Sequence, residues 1–312
     1  MHDLLNNAVA VGLLAAAVRM LTPLLLAAAG ELVAEKAGIM NLGVEGTMMT
    51  GCFVAFLVTF LSGSLALGIA AAVLSGAALG GLMAFATVTL RIEQFIMGLA
   101  INLLSSALTA YGFRALLKQV PAEQAVIEPL STLRIPGLAD LPLVGEALFN
   151  QTWMTYLAYL MVPAIALLLY RTRLGLELRS LGENPKLLDT AGHSVGVPRY
   201  GAVIFGGAMA GLAGAALSAG SSMRFVEEMT AGRGWIVIVI VVAANWRVWR
   251  VPLVTAVFAL LQAAQLQAQA NGVAFPYEIL LALPYIAAVG IMIAFRSSSR
   301  MPSALGVPYR RQ

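Results

Sequence analysis

The sequence predicts an all-α polytopic membrane protein of about nine (8–10) transmembrane helices. Its N-terminus is expected outside and its C-terminus inside, with a broken second span and a short helix on the cytoplasmic face. Three observations predict this. Sixty per cent of the 312 residues are hydrophobic and 11% charged, and the mean hydropathy is +0.87, whereas soluble domains carry about 25% charged residues. Apolar stretches recur at lengths that suit a ~30 Å hydrocarbon core, which takes about 20 helical residues. The basic residues, finally, are shared unevenly between the connecting segments.

Nine stretches qualify as spans, at roughly 8–29, 39–61, 65–90, 94–113, 152–170, 200–220, 233–246, 251–270 and 277–295. With the N-terminus outside, the inner segments hold Lys36, Arg91, Arg171, Arg173, Arg179, Lys186, Arg199, Arg247, Arg250, Arg296, Arg300, Arg310 and Arg311. The outer segments hold only Arg114, Lys118, Arg134, Arg224 and Arg233, and Arg19 falls inside the first span. That bias is the positive-inside pattern, so the pI near 9.4 reports topology and needs no nucleic acid to explain it. Residues 1–295 thus form one transmembrane domain with an external loop at 114–151 and a cytoplasmic loop at 171–199. Residues 296–312 read as a basic cytoplasmic tail along the membrane surface. His2, His193 and Cys52 are the only imidazoles and thiol, too few for a metal site or a disulfide framework.

The cytoplasmic loop specifies a helix over 184–191. Asn184 suits the N-cap and Pro185 the first helical position, where a missing N–H is harmless. Leu187, Leu188 and Ala191 then fall on one side, and Gly192 can take the left-handed conformation that ends a helix. So short a helix needs something to pack on. It either rests on its own membrane domain or docks a soluble partner.

Three stretches carry a resemblance: "GELVAEKAGIMNLGVEGTMMTG" (30–51), the loop followed by "RYGAVIFGGAMAGLAGAALS" (199–218), and "TAGRGWIVIVIVVAANWRVWRVPLVTAVFALLQAAQ" (230–265). Together they resemble permease subunits of ATP-binding cassette (ABC) importers, in the branch that handles nucleosides and simple sugars and is related to the ribose and branched-chain amino acid permeases. Asn245-Trp246 departs from the family's usual residues before that Trp. The resemblance implies that Glu183, Asn184, Pro185, Lys186, Leu187, Leu188, Ala191 and Gly192 form a coupling helix for a separate cytoplasmic ATPase. ATP and magnesium would sit on that partner, and no cofactor on this chain. It also implies an extracytoplasmic substrate-binding protein, a second and non-identical permease, and residence in a bacterial cytoplasmic (inner) membrane. The residues agree, because none of Lys36, Lys118 and Lys186 sits in a G-x-x-x-x-G-K-[ST] loop that cradles phosphates.

Polar residues inside spans are the candidates for a translocation path: Asn41, Glu45, Asn102, Gln262 and Gln265. Asn41, Gly43, Glu45 and Gly46 interrupt the second span, and interrupted helices at membrane depth line wet cavities or are buried in protein. Alternatively, the glycines simply admit a neighbouring helix. Glu45 needs a partner in hydrocarbon, and Arg19 offers one. Asn102, Ser105, Ser106 and Thr109 share a helical face, as do Gln262, Gln265 and Gln269. The hydroxyls can bond their own backbone; the amides suit a neutral polar solute or interhelical bonds. Trp153, Trp235, Trp246 and Trp249 fall at span ends, where interfacial anchoring is expected. An ion-coupled transporter would need a relay that Glu45 and Arg19 scarcely supply, and the spans show no paired catalytic groups for an intramembrane enzyme.

Overall fold

A computed structural model of the chain describes residues 2–117, 125–141, 145–270, 277–295 and 301–309. The elements in order are α1 (His2–Lys36), α2 (Val44–Ser62), α3 (Leu65–Ala84), α4 (Gln94–Leu117), β1 (Thr132–Arg134), α5 (Gly145–Phe149), β2 (Asn150–Thr152), α6 (Trp153–Arg171), α7 (Arg173–Glu183), α8 (Pro185–Thr190), α9 (Gly196–Leu217), α10 (Arg233–Ala243), α11 (Val251–Ala270) and α12 (Tyr277–Phe295). Among the described residues, seven helices are long and apolar enough to cross a membrane. The expected spans at 233–246 and 277–295 are also helical, but their described apolar helices are the shorter Arg233–Ala243 and Ala282–Ile293. At 1.5 Å per residue, α10 covers about 16 Å, roughly half a hydrocarbon core.

α9 is the centre of the bundle, packed by α1, α2 and α3. It can be central because one face is nearly all glycine and alanine, which lets backbones approach closely. A Cβ on Gly211 would collide with the Ala72 carbonyl, one on Gly76 with the Gly207 carbonyl, and one on Gly214 with the Met48 carbonyl. We expect Gly211→Ala to lower the apparent Tm of the detergent-purified chain, since overpacking costs about 1–3 kcal/mol. An unchanged thermal transition would contradict this packing.

The break near the second span lies elsewhere than the sequence predicts. α1 does not stop near residue 29; it runs on to Lys36 and ends in a Schellman turn, with Gly38 at φ +85°. There the Gly38 N–H donates to the Glu35 carbonyl (3.0 Å) and the Ile39 N–H to the Ala34 carbonyl (3.1 Å). Residues 37–43 are non-helical and α2 begins only at Val44. The interruption therefore precedes the second helix, because Gly38 rather than Gly43 supplies the stop.

At one end of α9, residues 125–141 and 145–152 form a cap. β1 and β2 pair antiparallel with Thr132 opposite Thr152, and the Ile127 N–H donates to the Met223 carbonyl (2.9 Å). This cap occupies the predicted 114–151 loop, although α4 continues as helix through Leu117; Lys118 lies outside the described residues. At the other end of α9 lie α7 and α8, so the 171–199 loop carries one more helix than expected. Thr172 caps α7 by accepting the Gly175 N–H (3.1 Å).

The described part of the C-terminal tail does not lie free along a surface. The Ala304 N–H donates to the Gly182 carbonyl (2.8 Å) and the Gly306 N–H to the Gly38 carbonyl (3.3 Å). Ser303 bonds Glu183 (3.2 Å) and the Tyr309 hydroxyl bonds Asp189 (2.9 Å). Leu305 is buried. Polar residues interleaved with small apolar ones therefore dock this segment on the α7–α8 loop and the 37–43 break. Arg296, Arg300, Arg310 and Arg311 lie outside the described residues.

Candidate functional site

The candidate site begins where helix starts meet. Gly43 is the N-cap of α2 and has no side chain to satisfy the first N–H groups. Asn102 on α4 does so from outside the helix. Its Oδ1 accepts the Gly46 N–H (2.8 Å) while its Nδ2 donates to the Leu42 carbonyl (2.9 Å). Gly46 permits this, since a Cβ there would lie 2.7 Å from the Asn102 Cα. Asn41 is buried; its Oδ1 accepts the Gly43 N–H (3.0 Å), and its own N–H donates to Glu31 (2.9 Å).

Glu45, in the first turn of α2, caps a different helix. Its Oε1 accepts the Thr230 hydroxyl (2.6 Å) and the Gly232 N–H (2.8 Å), and its Oε2 accepts the Gly234 N–H (2.5 Å). Gly232 is the N-cap of α10, at φ +75°. Two helix N-termini, each carrying about half a positive charge, thus converge on one carboxylate. That arrangement satisfies the carboxylate without the expected Arg19 partnership. Arg19 instead sits beside Thr22, Thr152 and Thr155.

Below this cap lies a group the sequence reading passed over. Glu31 and Glu35 are fully buried on α1. Glu35 accepts the indole N–H of Trp246, and Gln94 on α4 accepts the Met40 N–H (2.8 Å). Trp246 is buried rather than an interfacial anchor, and both it and Asn245 hold left-handed backbone, at φ 51° and 55°. So the departure at Asn245-Trp246 is the turn that ends α10. The signal was present as two carboxylates one helical turn apart, but a first span ending at 29 assigned them to a connecting loop. Trp246→Phe leaves a buried acceptor unpaired and should destabilise the chain by about 1–3 kcal/mol. A thermal-shift measurement in detergent checks this, and a wild-type transition would show the indole to be dispensable.

A cavity of about 420 Å³ opens between α10, α11 and α12, lined by Arg233, Gln262, Gln265, Leu266, Gln269 and Tyr285 among others. The structure therefore gathers Gln262 and Gln265 with the neighbouring Gln269, and adds Arg233 and Tyr285, which periodicity within one span could not reveal. Asn41, Glu45 and Asn102 do not line this cavity; they hold the helix starts beside it. Thr109 bonds back to the Ser105 carbonyl (2.7 Å), and Ser106 donates to Glu228 (2.5 Å).

At the far end, α8 takes the form the sequence predicts. Asn184 accepts the Lys186 N–H (3.1 Å), Pro185 occupies the first turn, and Gly192 stands at φ +82°. The Ala191 N–H bonds the Leu187 carbonyl (3.2 Å), and the His193 N–H bonds the Leu188 carbonyl (3.1 Å). No residue of α8 is buried, and Leu187 is 66% exposed. Leu187 and Leu188 border a groove of about 410 Å³ against α7, with Leu176, Arg179 and Glu183 on its other side.

Comparison with known proteins adds an independent finding. Residues 13–295 match the family described as the permease component of branched-chain amino acid transport systems. The chain is 39% identical to TsgC13 of Haloferax volcanii, named for a glucose ABC transporter permease, over 97% of this chain and 98% of that one. It is 31% identical to the nucleoside ABC transporter permease NupC of Lactococcus lactis, over 92% and 93% of the two chains. It is 28% identical to the guanosine ABC transporter permease NupQ of Bacillus subtilis, over 92% of each. The Haloferax and Bacillus species each hold a second, more distant relative, TsgB13 at 29% and NupP at 26% identity. No solved structure matches the chain.

Proposed function

The chain belongs to the family of permease components of branched-chain amino acid transport systems, and from that premise we propose that it forms half of the path through which an ATP-driven importer carries a nucleoside inward. It is a permease subunit of an ABC transporter for nucleosides or sugars. The observation that carries the nucleoside-or-sugar reading is the row of neutral amides on α11 facing a cavity: it offers donors and acceptors without demanding a charged solute. A second reading, a simple sugar, is favoured by the identity with TsgC13.

In this reading the chain crosses the membrane nine times with its N-terminus outside, in the cytoplasmic membrane. The basic residues of 171–199 support that orientation. A separate ATPase docks on α8 and the α7–α8 groove. An extracytoplasmic binding protein delivers solute to the cap end, and a second, non-identical permease completes the path. The coexistence of TsgB13 with TsgC13, and of NupP with NupQ, supports that pairing. Movement of α8 passes to α7, whose Gly182 carbonyl holds the Ala304 N–H while Gly306 reaches Gly38. From there the 37–43 segment leads to Asn102 and Glu45, and so to the start of α10 beside the cavity. Alternating access is then a population shift between two arrangements of these packed helices.

The test is uptake of labelled uridine, glucose and leucine by the assembled transporter in proteoliposomes supplied with ATP. Uptake of uridine supports the first reading and of glucose the second. Uptake confined to leucine would overturn both.

A further inference from the structure

We propose that the side of α4 around Ser106, together with Glu228 in the segment before α10, walls the water-filled solute path, and that the Glu228 carboxylate sets that path against anionic solutes. The inference deepens the transport reading and rests on it for the existence of a path.

Ser106 lies halfway along the 24-residue α4, about 18 Å from its start, and so near the middle of a ~30 Å hydrocarbon core. Its hydroxyl donates to Glu228 (2.5 Å), which fixes the carboxylate at that depth and keeps it from reaching up to the membrane surface. Yet Glu228 is exposed on the outside of the chain, as are Met223, Arg224 and Val226 of the same segment. From 223 to 232 the backbone is not helical, and it is left-handed at Met223, Glu228 and Ala231 (φ 57°, 60° and 46°). Lipid tolerates neither a carboxylate nor non-helical backbone; both occur at this depth only against protein or water. The segment then runs on to Ala231 and Arg233, which line the cavity between α10, α11 and α12.

Water is favoured over a dry contact because Glu228 is not the only charge on this side of α4. Arg114, two turns beyond Ser106, bonds both oxygens of Glu227 (2.8 and 2.6 Å), and its side chain stays 73% exposed. Sealing such groups into a dry interface costs desolvation that their pairing need not return. α3 offers the contrast: it contains no charged residue and exposes Leu67, Leu74 and Leu82 along one stripe, a surface made for lipid. The charges near Glu228 are matched or lie elsewhere. Arg114 is held by Glu227, and Arg233 lies in the field of Glu45. Arg224 belongs to the cap end, where the adjacent Met223 carbonyl accepts the Ile127 N–H. Glu228 therefore sets the sign of this wall at mid-depth. A cleft walled by one sign of charge repels solutes of that sign, so neutral polar solutes pass and phosphorylated ones are turned away.

The experiment is thiol labelling of cysteine substitutions in the complete transporter in lipid nanodiscs, with and without ATP, so that an opening to either side admits reagent. The chain's one cysteine, Cys52, is buried, and the intact mass of this subunit reads the label whatever its companions carry. The reagents are a cationic and an anionic methanethiosulfonate of similar size. Leu103→Cys, at a position 73% exposed and one turn from Ser106, should react about tenfold or more faster than Leu74→Cys, at a position 70% exposed midway along α3, because the reactive thiolate forms only in contact with water. Adding Glu228→Gln, which keeps an acceptor for Ser106, should lower the ratio of cationic to anionic rates at Leu103→Cys about tenfold. That is the effect of one unit charge on reagents of opposite sign across a helical turn in water. The variants are compared as monodisperse, ATPase-bound protein, which separates loss of the wall from loss of the fold. Equal labelling of Leu103→Cys and Leu74→Cys would overturn the wall, and a rate ratio unchanged by Glu228→Gln would overturn its action against anions. Either result with ATP-driven uridine or glucose uptake intact leaves the transport reading standing; uptake of leucine alone removes the reading itself.

Discussion

Leu187→Asp combined with Leu188→Asp reduces the ATPase activity of the assembled transporter to its unstimulated level and abolishes uptake, while the permease still inserts and elutes as a folded protein. The expectation rests on exposure. α8 buries none of its residues within the chain, and Leu187 is 66% exposed at the edge of the α7–α8 groove. Substitution of such surface positions changes folding stability by only about ±0.5 kcal/mol. At an interface the same positions act as apolar anchors, and losing an anchor costs ~2 kcal/mol or more, about thirtyfold in docking affinity. Two carboxylates placed in the contact add a desolvation penalty. ATP hydrolysis measured with and without the binding protein reads the effect. Full stimulation in the double variant would mean that the ATPase grips elsewhere.

The second large effect is expected at Glu45. Glu45→Ala removes the acceptor for the Thr230 hydroxyl and the Gly232 and Gly234 N–H groups at once. Each of those donors left without an acceptor out of reach of water costs about 1–3 kcal/mol. Transport is lost as well, because α10 no longer has a fixed start beside the cavity. Glu45→Gln is no rescue. The amide keeps one acceptor oxygen but turns an NH₂ towards a backbone donor, so its Tm should fall nearly as far as that of the alanine variant. Thr230→Val, which deletes one donor of three, should fall least. Thermal transitions in detergent rank the three; a wild-type transition for Glu45→Gln would show that the carboxylate does not hold α10.

These two sites also show what the sequence made legible and what it did not. α8 was readable because all its determinants are local: Asn184, Pro185 and Gly192 act within one turn of the residues they control. The spans were readable because apolar length is a property of consecutive residues. The break was legible as an anomaly at Asn41–Gly46 but misplaced, since glycines are frequent there and only backbone geometry singles out Gly38 as the left-handed stop. The role of Glu45 was hidden because its partners are 185 to 189 residues away in the chain. Charge alone nominated Arg19. Helix N-termini are partners too, and a single span gives no hint of which one will arrive. The same limit hid Trp246 against Glu35 and the tail against α7, contacts that link residues more than a hundred positions apart.

In the proposed function this chain is moved by an ATPase held at α8 and has no driving force of its own. The direct measurement is solute accumulation in sealed proteoliposomes containing both permeases and the binding protein, with and without the ATPase subunit, under ATP or under an imposed ion gradient. Accumulation above the external concentration is expected only when ATPase and ATP are both present, with indifference to ionophores. Accumulation driven by the ion gradient with the ATPase omitted would contradict it.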